Sequence, residues 1–177
     1  MHQYRYHLTQ VSLGGAFPGS GGWLGLLGSD KGLRRLSLKP TPQEALEGLA
    51  PDLPQAAADP GAFANVQECL EEYSRGQSRS LEEIALDLEG APPFFRAAWE
   101  ACRQIPAGDT RSYAWLAAAA GNPLAVRAAG QAMARNRLAL VIPCHRVIGS
   151  DGGLHGYGAG GLPVKARLLA LERAGRT

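Results

Sequence analysis

Cysteine and methionine are scarce in this 177-residue sequence, at three and two residues. Cys69, Cys102 and Cys144 form no CxxC pair and no Cys/His cluster at zinc-ligand spacing, which argues against a disulfide framework or a structural metal. A reducing compartment is therefore expected, and no cofactor. Long apolar runs are lacking too. No stretch reaches the roughly 18 apolar residues needed to span a bilayer, and the start, MHQYRYHLTQVSLGG, has no apolar segment of leader length. A soluble, unexported cytoplasmic protein without membrane contact is expected.

What is abundant is small or apolar: 45% of the residues are hydrophobic and 23 are Gly, enough for a core without covalent staples. Charge is nearly balanced at +2 but unevenly placed. Residues 1–95 carry 7 Lys+Arg against 12 Asp+Glu, and residues 96–177 carry 11 against 4, so the halves stand at −5 and +7. A basic half suits a polyanionic partner, because bound Lys and Arg release condensed counterions. A solvated face would look the same.

Trp23 to Leu27 and Leu33 to Leu38, around a Gly-bounded turn at Gly28–Gly32, read as a β-hairpin. Thr41-Pro42-Gln43-Glu44 is a helix start with a capping Thr and Pro in the first turn, and Pro51 and Pro54 close that helix. Asp59-Pro60 repeats the signal, with Phe63, Val66, Leu70 and Tyr73 at helical spacing and Cys69 as a core residue beside them. The alternation of Ile84, Leu86 and Leu88 predicts a strand before a linker at Gly90-Ala91-Pro92-Pro93. Two domains are expected, 1–90 and 91–177.

Phe94, Phe95, Ala98, Trp99 and Cys102 line one face of a further helix, which places Cys102 in the core. Ser112 caps a helix ending at Gly121, and Asn122 with Pro123 starts another, Leu124 to about Arg135. This is the outline of a helix-turn-helix, with Arg127 and Arg135 as candidate DNA contacts. The second helix carries Ala125, Ala128, Ala129, Gly130, Ala132 and Ala134, small residues that serve close approach to DNA or plain helix packing.

Leu138 to Ile142 reads as a strand that breaks at Pro143-Cys144-His145-Arg146, ahead of a Gly-rich stretch. A cysteine nucleophile acts as thiolate, and a neighbouring His or Arg raises the thiolate fraction. On a strand consecutive side chains diverge, so Cys144 and His145 meet only through a turn or a bridging water, with a carboxylate orienting the imidazole.

Pro143-Cys144-His145-Arg146 resembles the active-site motif of the O6-alkylguanine-DNA alkyltransferases. The similarity extends over residues 94–173, through Ile105-Pro106, Gly108-Asp109-Thr110, Ser112-Tyr113, Gly121-Asn122-Pro123, Arg127-Ala128, Met133, Asn136, Gly156-Tyr157 and Lys165 with Leu168-Leu169. The resemblance implies that Cys144 accepts the alkyl group, His145 takes its proton through a water, Glu172 orients the imidazole, and Asn136 braces the turn. It also implies that Tyr113 rotates the target phosphate and bonds the base, that Arg127 fills the space of the flipped nucleotide, and that Arg135, Met133, Val147, Tyr157, Gly158 and Ala159 contact DNA or base. Taken alone, Tyr113 is equally a core aromatic, Asn136 a turn former, His155 a solvent residue, and Glu172 a partner of Arg173 or Arg176.

The implied fold is α+β: a small ribonuclease-H-like N-terminal domain, then a mostly helical domain with the helix-turn-helix. The implied partner is double-stranded DNA carrying alkylated guanine, approached from the minor groove by a monomer, nucleoid-associated in a bacterium. An alkylated O6 lies inside a stacked duplex, so attack requires base extrusion. Two departures stand out: Asn136-Arg137-Leu138-Ala139 lacks the prolines common before the active-site cysteine, and Gly156-Tyr157-Gly158-Ala159-Gly160-Gly161 is one residue longer than usual. The rivals are a damage sensor or regulator without transfer activity and a cysteine hydrolase.

Overall fold

The computed structural model describes residues 3–12, 22–77 and 79–175. It is α+β, and the chain divides into two compact units, Met1–Asp87 and Leu88–Thr177.

The first unit is built on a mixed four-stranded sheet in the order β3-β2-β1-β4. Strands β1 (Tyr4–Val11), β2 (Gly22–Ser29) and β3 (Gly32–Lys39) are antiparallel neighbours, and β4 (Ala56–Ala58) joins β1 in parallel. The hairpin read from the sequence is β2–β3. Leu24, Leu26 and Leu27 on consecutive and alternate positions of β2 are all buried, as an interior strand covered on both faces requires. Helix α1 (Pro42–Glu47) is capped as expected: Thr41 Oγ1 accepts the Glu44 N–H at 3.3 Å and donates to the Glu44 carboxylate at 2.7 Å. Asp59 caps a short 3₁₀ turn, Pro60–Phe63, that leads into α2 (Ala64–Ser74). Cys69 is half-buried on α2, at the edge of the apolar stripe and not within the core.

The expected strand at Ile84–Leu88 does not form. That segment makes a single parallel bridge, Leu86 to Leu33, held by Leu33 N–H to Ala85 O and Asp87 N–H to Leu33 O. Alternating burial is met here by two backbone bonds and an ion network. Asp87 receives Ser29 Oγ at 2.8 Å and Arg34 at 3.3 Å, and Arg34 also meets Asp52 at 3.2 Å.

The second unit packs α3 (Pro93–Arg103), α4 (Tyr113–Ala119), α5 (Val126–Ala134) and α6 (Gly161–Ala174) around one core. Phe95, Ala98, Trp99 and Cys102 form the buried face of α3, and Trp99 Nε1 donates to Ala132 O on α5 at 2.8 Å. Ser112 caps α4 through the Trp115 N–H. Helix α5 begins at Val126, later than the expected Leu124. Asn122 Oδ1 accepts the Leu124 N–H and Asn122 O the Ala125 N–H, so Asn122 and Pro123 shape a tight turn ahead of the helix instead of its first residues.

The run Leu138–Ile142 is buried but is not a strand. Ile142 N–H bonds back to Leu138 O at 2.8 Å, Leu140 sits at φ 75°, and the segment closes on itself as a turn. Its apolar side chains need burial, and the local polar groups supply the backbone partners that a sheet would otherwise provide.

Candidate active site

Two short strands set the site. Strand β5 (Arg111–Ser112) pairs in parallel with β6 (Val147–Ile148), which puts Tyr113, the next residue after β5, beside the chain leaving Cys144. Cys144, His145 and Arg146 form a 3₁₀ turn immediately before β6, and all three are buried. The cysteine thus sits on a turn, not at the end of a strand, and consecutive side chains need not diverge to opposite faces.

Asn136 organises that turn. Its Oδ1 accepts the Leu138 N–H at 2.9 Å, and its Nδ2 donates to Ile142 O at 2.8 Å and to Cys144 Sγ at 3.1 Å. Burial pushes the Cys144 thiol above its ordinary value of 9.0. The Asn136 amide, the Lys165 ammonium and nearby backbone N–H groups pull the other way without overcoming it.

Behind the cysteine lies a buried charged trio. His145 Nε2 is 2.7 Å from Glu172 Oε1, and both side chains are essentially inaccessible. Arg146 donates to the same carboxylate through Nε at 3.0 and 3.2 Å and through its terminal nitrogen at 2.9 Å, and also to Ile105 O at 2.6 Å. The Gly108 N–H completes the set at 3.1 Å. Burial would raise the Glu172 carboxyl, but the hydrogen bonds and charge of His145 and Arg146 hold it well below the usual carboxylate range. Burial lowers the His145 pKa from 6.5, with the Glu172 hydrogen bond and charge opposing. A carboxylate can only accept, so an uncharged His145 carries its proton on Nε2 and leaves Nδ1 as its acceptor nitrogen. Glu172 is therefore the partner of His145 and Arg146; Arg173 is exposed, and Arg176 lies outside the described residues.

A cavity of about 510 Å³ opens in front of Cys144. Tyr113, Arg127, Met133, Tyr157 and Gly158 line it, all of them anticipated from the sequence, together with Val126, Gly130, Ala134, His155 and Gly156. Burial raises the Tyr113 phenol, whose hydroxyl donates to His155 O at 3.3 Å. Tyr157 stands edge-on to the His145 ring, with centroids 6.3 Å apart. Val147 is fully buried in β6 beneath the site, Ala159 is half-buried in the following loop, and exposed Arg135 stacks on Phe95 at 5.7 Å; none of these three lines the cavity. His145, Asn136 and Glu172 act from behind its wall.

Sequence reasoning gave Lys165 no role, yet it is wholly buried. Its ammonium donates to Val147 O at 2.7 Å, His155 O at 2.9 Å and Gly156 O at 3.4 Å, tying the cavity loop to the strand after Cys144. A lysine inside an apolar helix face, Val164, Leu168 and Leu169, was the available signal. No group of three or more His, Cys, Asp or Glu that could hold a metal occurs among the described residues.

An oriented imidazole behind a cavity-facing cysteine is the arrangement for a thiol nucleophile, and comparison with known proteins decides which. Residues 93–174 match the family model described as "6-O-methylguanine DNA methyltransferase, DNA binding domain". The methylated-DNA–protein-cysteine methyltransferase of Mycolicibacterium paratuberculosis is 50% identical over 115 residues, covering 65% of this chain and 68% of its own. This chain belongs to the methylated-DNA–protein-cysteine methyltransferase family. The constitutive family member of Bacillus subtilis is 44% identical over 111 residues, 63% of this chain and 66% of its own. Among solved structures, a variant of the Mycobacterium tuberculosis O6-methylguanine methyltransferase superposes with a TM-score of 0.74 at 34% identity, covering 97% of this chain and 93% of the other. Mycobacterium tuberculosis OGT in complex with DNA superposes at 0.72 with 32% identity, covering 97% and 94%. The α+β architecture with its mixed sheet is the one those methyltransferases share.

Proposed function

We propose that this protein repairs DNA by moving an alkyl group, methyl in the simplest case, from O6 of guanine to Cys144 Sγ, once per molecule. The observation that carries the reading is Cys144 on the cavity wall with the His145–Glu172 pair buried behind it. His145 takes the thiol proton through a water as sulfur attacks the alkyl carbon; the S–C bond forms, the C–O6 bond breaks, and guanine leaves as an anion that recovers a proton. The thioether has no path back to the thiol, so each molecule acts once. The balance needs no cofactor.

The remaining roles follow from position. Tyr113 meets the flipped base and its phosphate, Met133, Tyr157 and Gly158 wall the base, Val147 supports the floor and Ala159 the loop, and Asn136 braces the turn. Helices α4 and α5, joined by the Asn122–Ala125 turn, act as a helix-turn-helix whose small-residue face enters the minor groove, with Arg127 filling the vacated stack and Arg135 at a phosphate. The 91–177 region is the DNA-binding and transfer domain. The 1–90 region is a ribonuclease-H-like domain, a reading supported by the antiparallel β1–β3 meander with parallel β4. The protein acts as a monomer in the cytoplasm, and in a bacterial cell on the nucleoid.

A damage-binding sensor without transfer is the second reading, and the cavity-facing thiol argues against it. Intact-protein mass spectrometry after incubation with an O6-methylguanine oligonucleotide decides. One methyl on Cys144, stopping at one per protein, is expected; binding with no change in mass would establish the sensor.

A further inference from the structure

Among the described residues, Leu124 is the most exposed large apolar side chain, with 93% of its surface in water. Its position is fixed, not floppy. Gly121, at φ 92°, reverses the chain after α4, Asn122 N–H bonds Ala117 O, and Asn122 then accepts the N–H groups of Leu124 and Ala125. Pro123 stiffens the same turn. Leu124 is not alone there: Val126, two residues on, is 38% exposed, so the turn and the start of α5 present an apolar spot to solvent.

The surroundings say which partner. From Thr110 to Ser150 the sequence contains no Asp or Glu, while Arg111, Arg127 and Arg135 are exposed there. Val126 and Arg127, just beyond Leu124, line the cavity that holds Cys144, so the leucine adjoins the mouth through which a base would enter. Basic surface suits a nucleic acid, and an apolar knob beside it suits the sugars and base edges of a groove, where Leu is among the residues used as wedges.

We propose that Leu124 packs into the groove of duplex DNA beside the extruded nucleotide, holding the duplex open with Arg127. This rests on the DNA-repair reading. A single strand offers no groove, so the contact belongs to the duplex alone.

Full-length wild type, Leu124→Ala and Leu124→Lys are titrated with an O6-methylguanine duplex and with the matching single strand, over a series of salt concentrations. Leu124→Ala is expected to weaken duplex binding by roughly tenfold, the order a buried Leu contributes, and to leave the single strand within twofold. Its salt slope stays that of wild type because no phosphate contact is lost, whereas Leu124→Lys steepens the slope. Methylation of Cys144 by free O6-methylguanine base at the wild-type rate shows that the site is intact. Duplex affinity within twofold of wild type, an equal loss on both strands, or a wild-type self-association that Leu124→Ala abolishes overturns the proposal. Wild type that neither binds nor accepts a methyl from either DNA sinks the repair reading itself.

Discussion

His145 and Glu172, 27 residues apart in sequence, meet at 2.7 Å with both side chains sealed from water. The carboxylate also anchors Arg146, so one residue near the end of α6 holds both the imidazole and the buried guanidinium. Breaking such a group by removing one partner costs about 3–5 kcal/mol. Glu172→Gln is expected to lose stability on that scale in urea unfolding and to transfer slowly even when folded. A variant as stable and as fast as wild type would remove Glu172 from the mechanism.

Acid lability follows from the same pair. Folded His145 has its pKa below 6.5, so below that pH the unfolded chain binds a proton the folded one refuses. Folded Glu172 lies below 4.5, so its contribution is present above that value and lost as pH falls through it. Both act in one direction. Melting temperature should decline from pH 7 downward and fall faster below about 4.5, and Glu172→Gln should flatten the lower part. A melting temperature that rises on acidification would contradict both shifts.

Burial raises the Cys144 thiol above its ordinary value, so little thiolate is expected at neutral pH. Iodoacetamide labelling of Cys144 in DNA-free protein, followed by peptide mapping, is expected to quicken about tenfold per pH unit from 7 to 9. A plateau already reached at pH 7 would mean a preformed thiolate and no need for His145 as base.

Asn136→Ala removes three hydrogen bonds and strands the Leu138 N–H. A loss of about 2–4 kcal/mol in urea unfolding is expected, with slower methyl transfer. Asn136→Ser with only partial recovery of both would fit; unchanged transfer in Asn136→Ala would leave Asn136 a merely structural brace.

Arg127, exposed at the cavity mouth on α5, is expected to matter only where a stack must be refilled. Arg127→Ala should slow transfer from duplex by about tenfold, roughly 1.4 kcal/mol, while single-strand rates hold. Equal losses on both substrates would remove the wedge role.

Local chemistry was legible wherever one residue type has one use. Thr41 and Ser112 cap helices, Gly28 to Gly32 turns a hairpin, and the spacing of Phe95, Ala98, Trp99 and Cys102 buries one side of α3. The Cys144-His145 pair and the motif around it could likewise be read directly, because the motif is contiguous in the chain. Leu138–Ile142 was not legible: five apolar residues suit a strand, a helix or a buried turn equally, and the choice fell to Asn136, whose amide bonds the turn from outside it. Ile84–Leu88 misled for the same reason, its alternation reporting burial and not pairing. The Glu172–Arg146 contact, the burial of Lys165 and the exposure of Leu124 depend on how α4, α5 and α6 pack, and no residue carries a local mark of the neighbour that folding will bring. Sequence alone determined the reactive group and the local turns; only tertiary structure decided which charges would be desolvated together, because burial is a property of the assembled core.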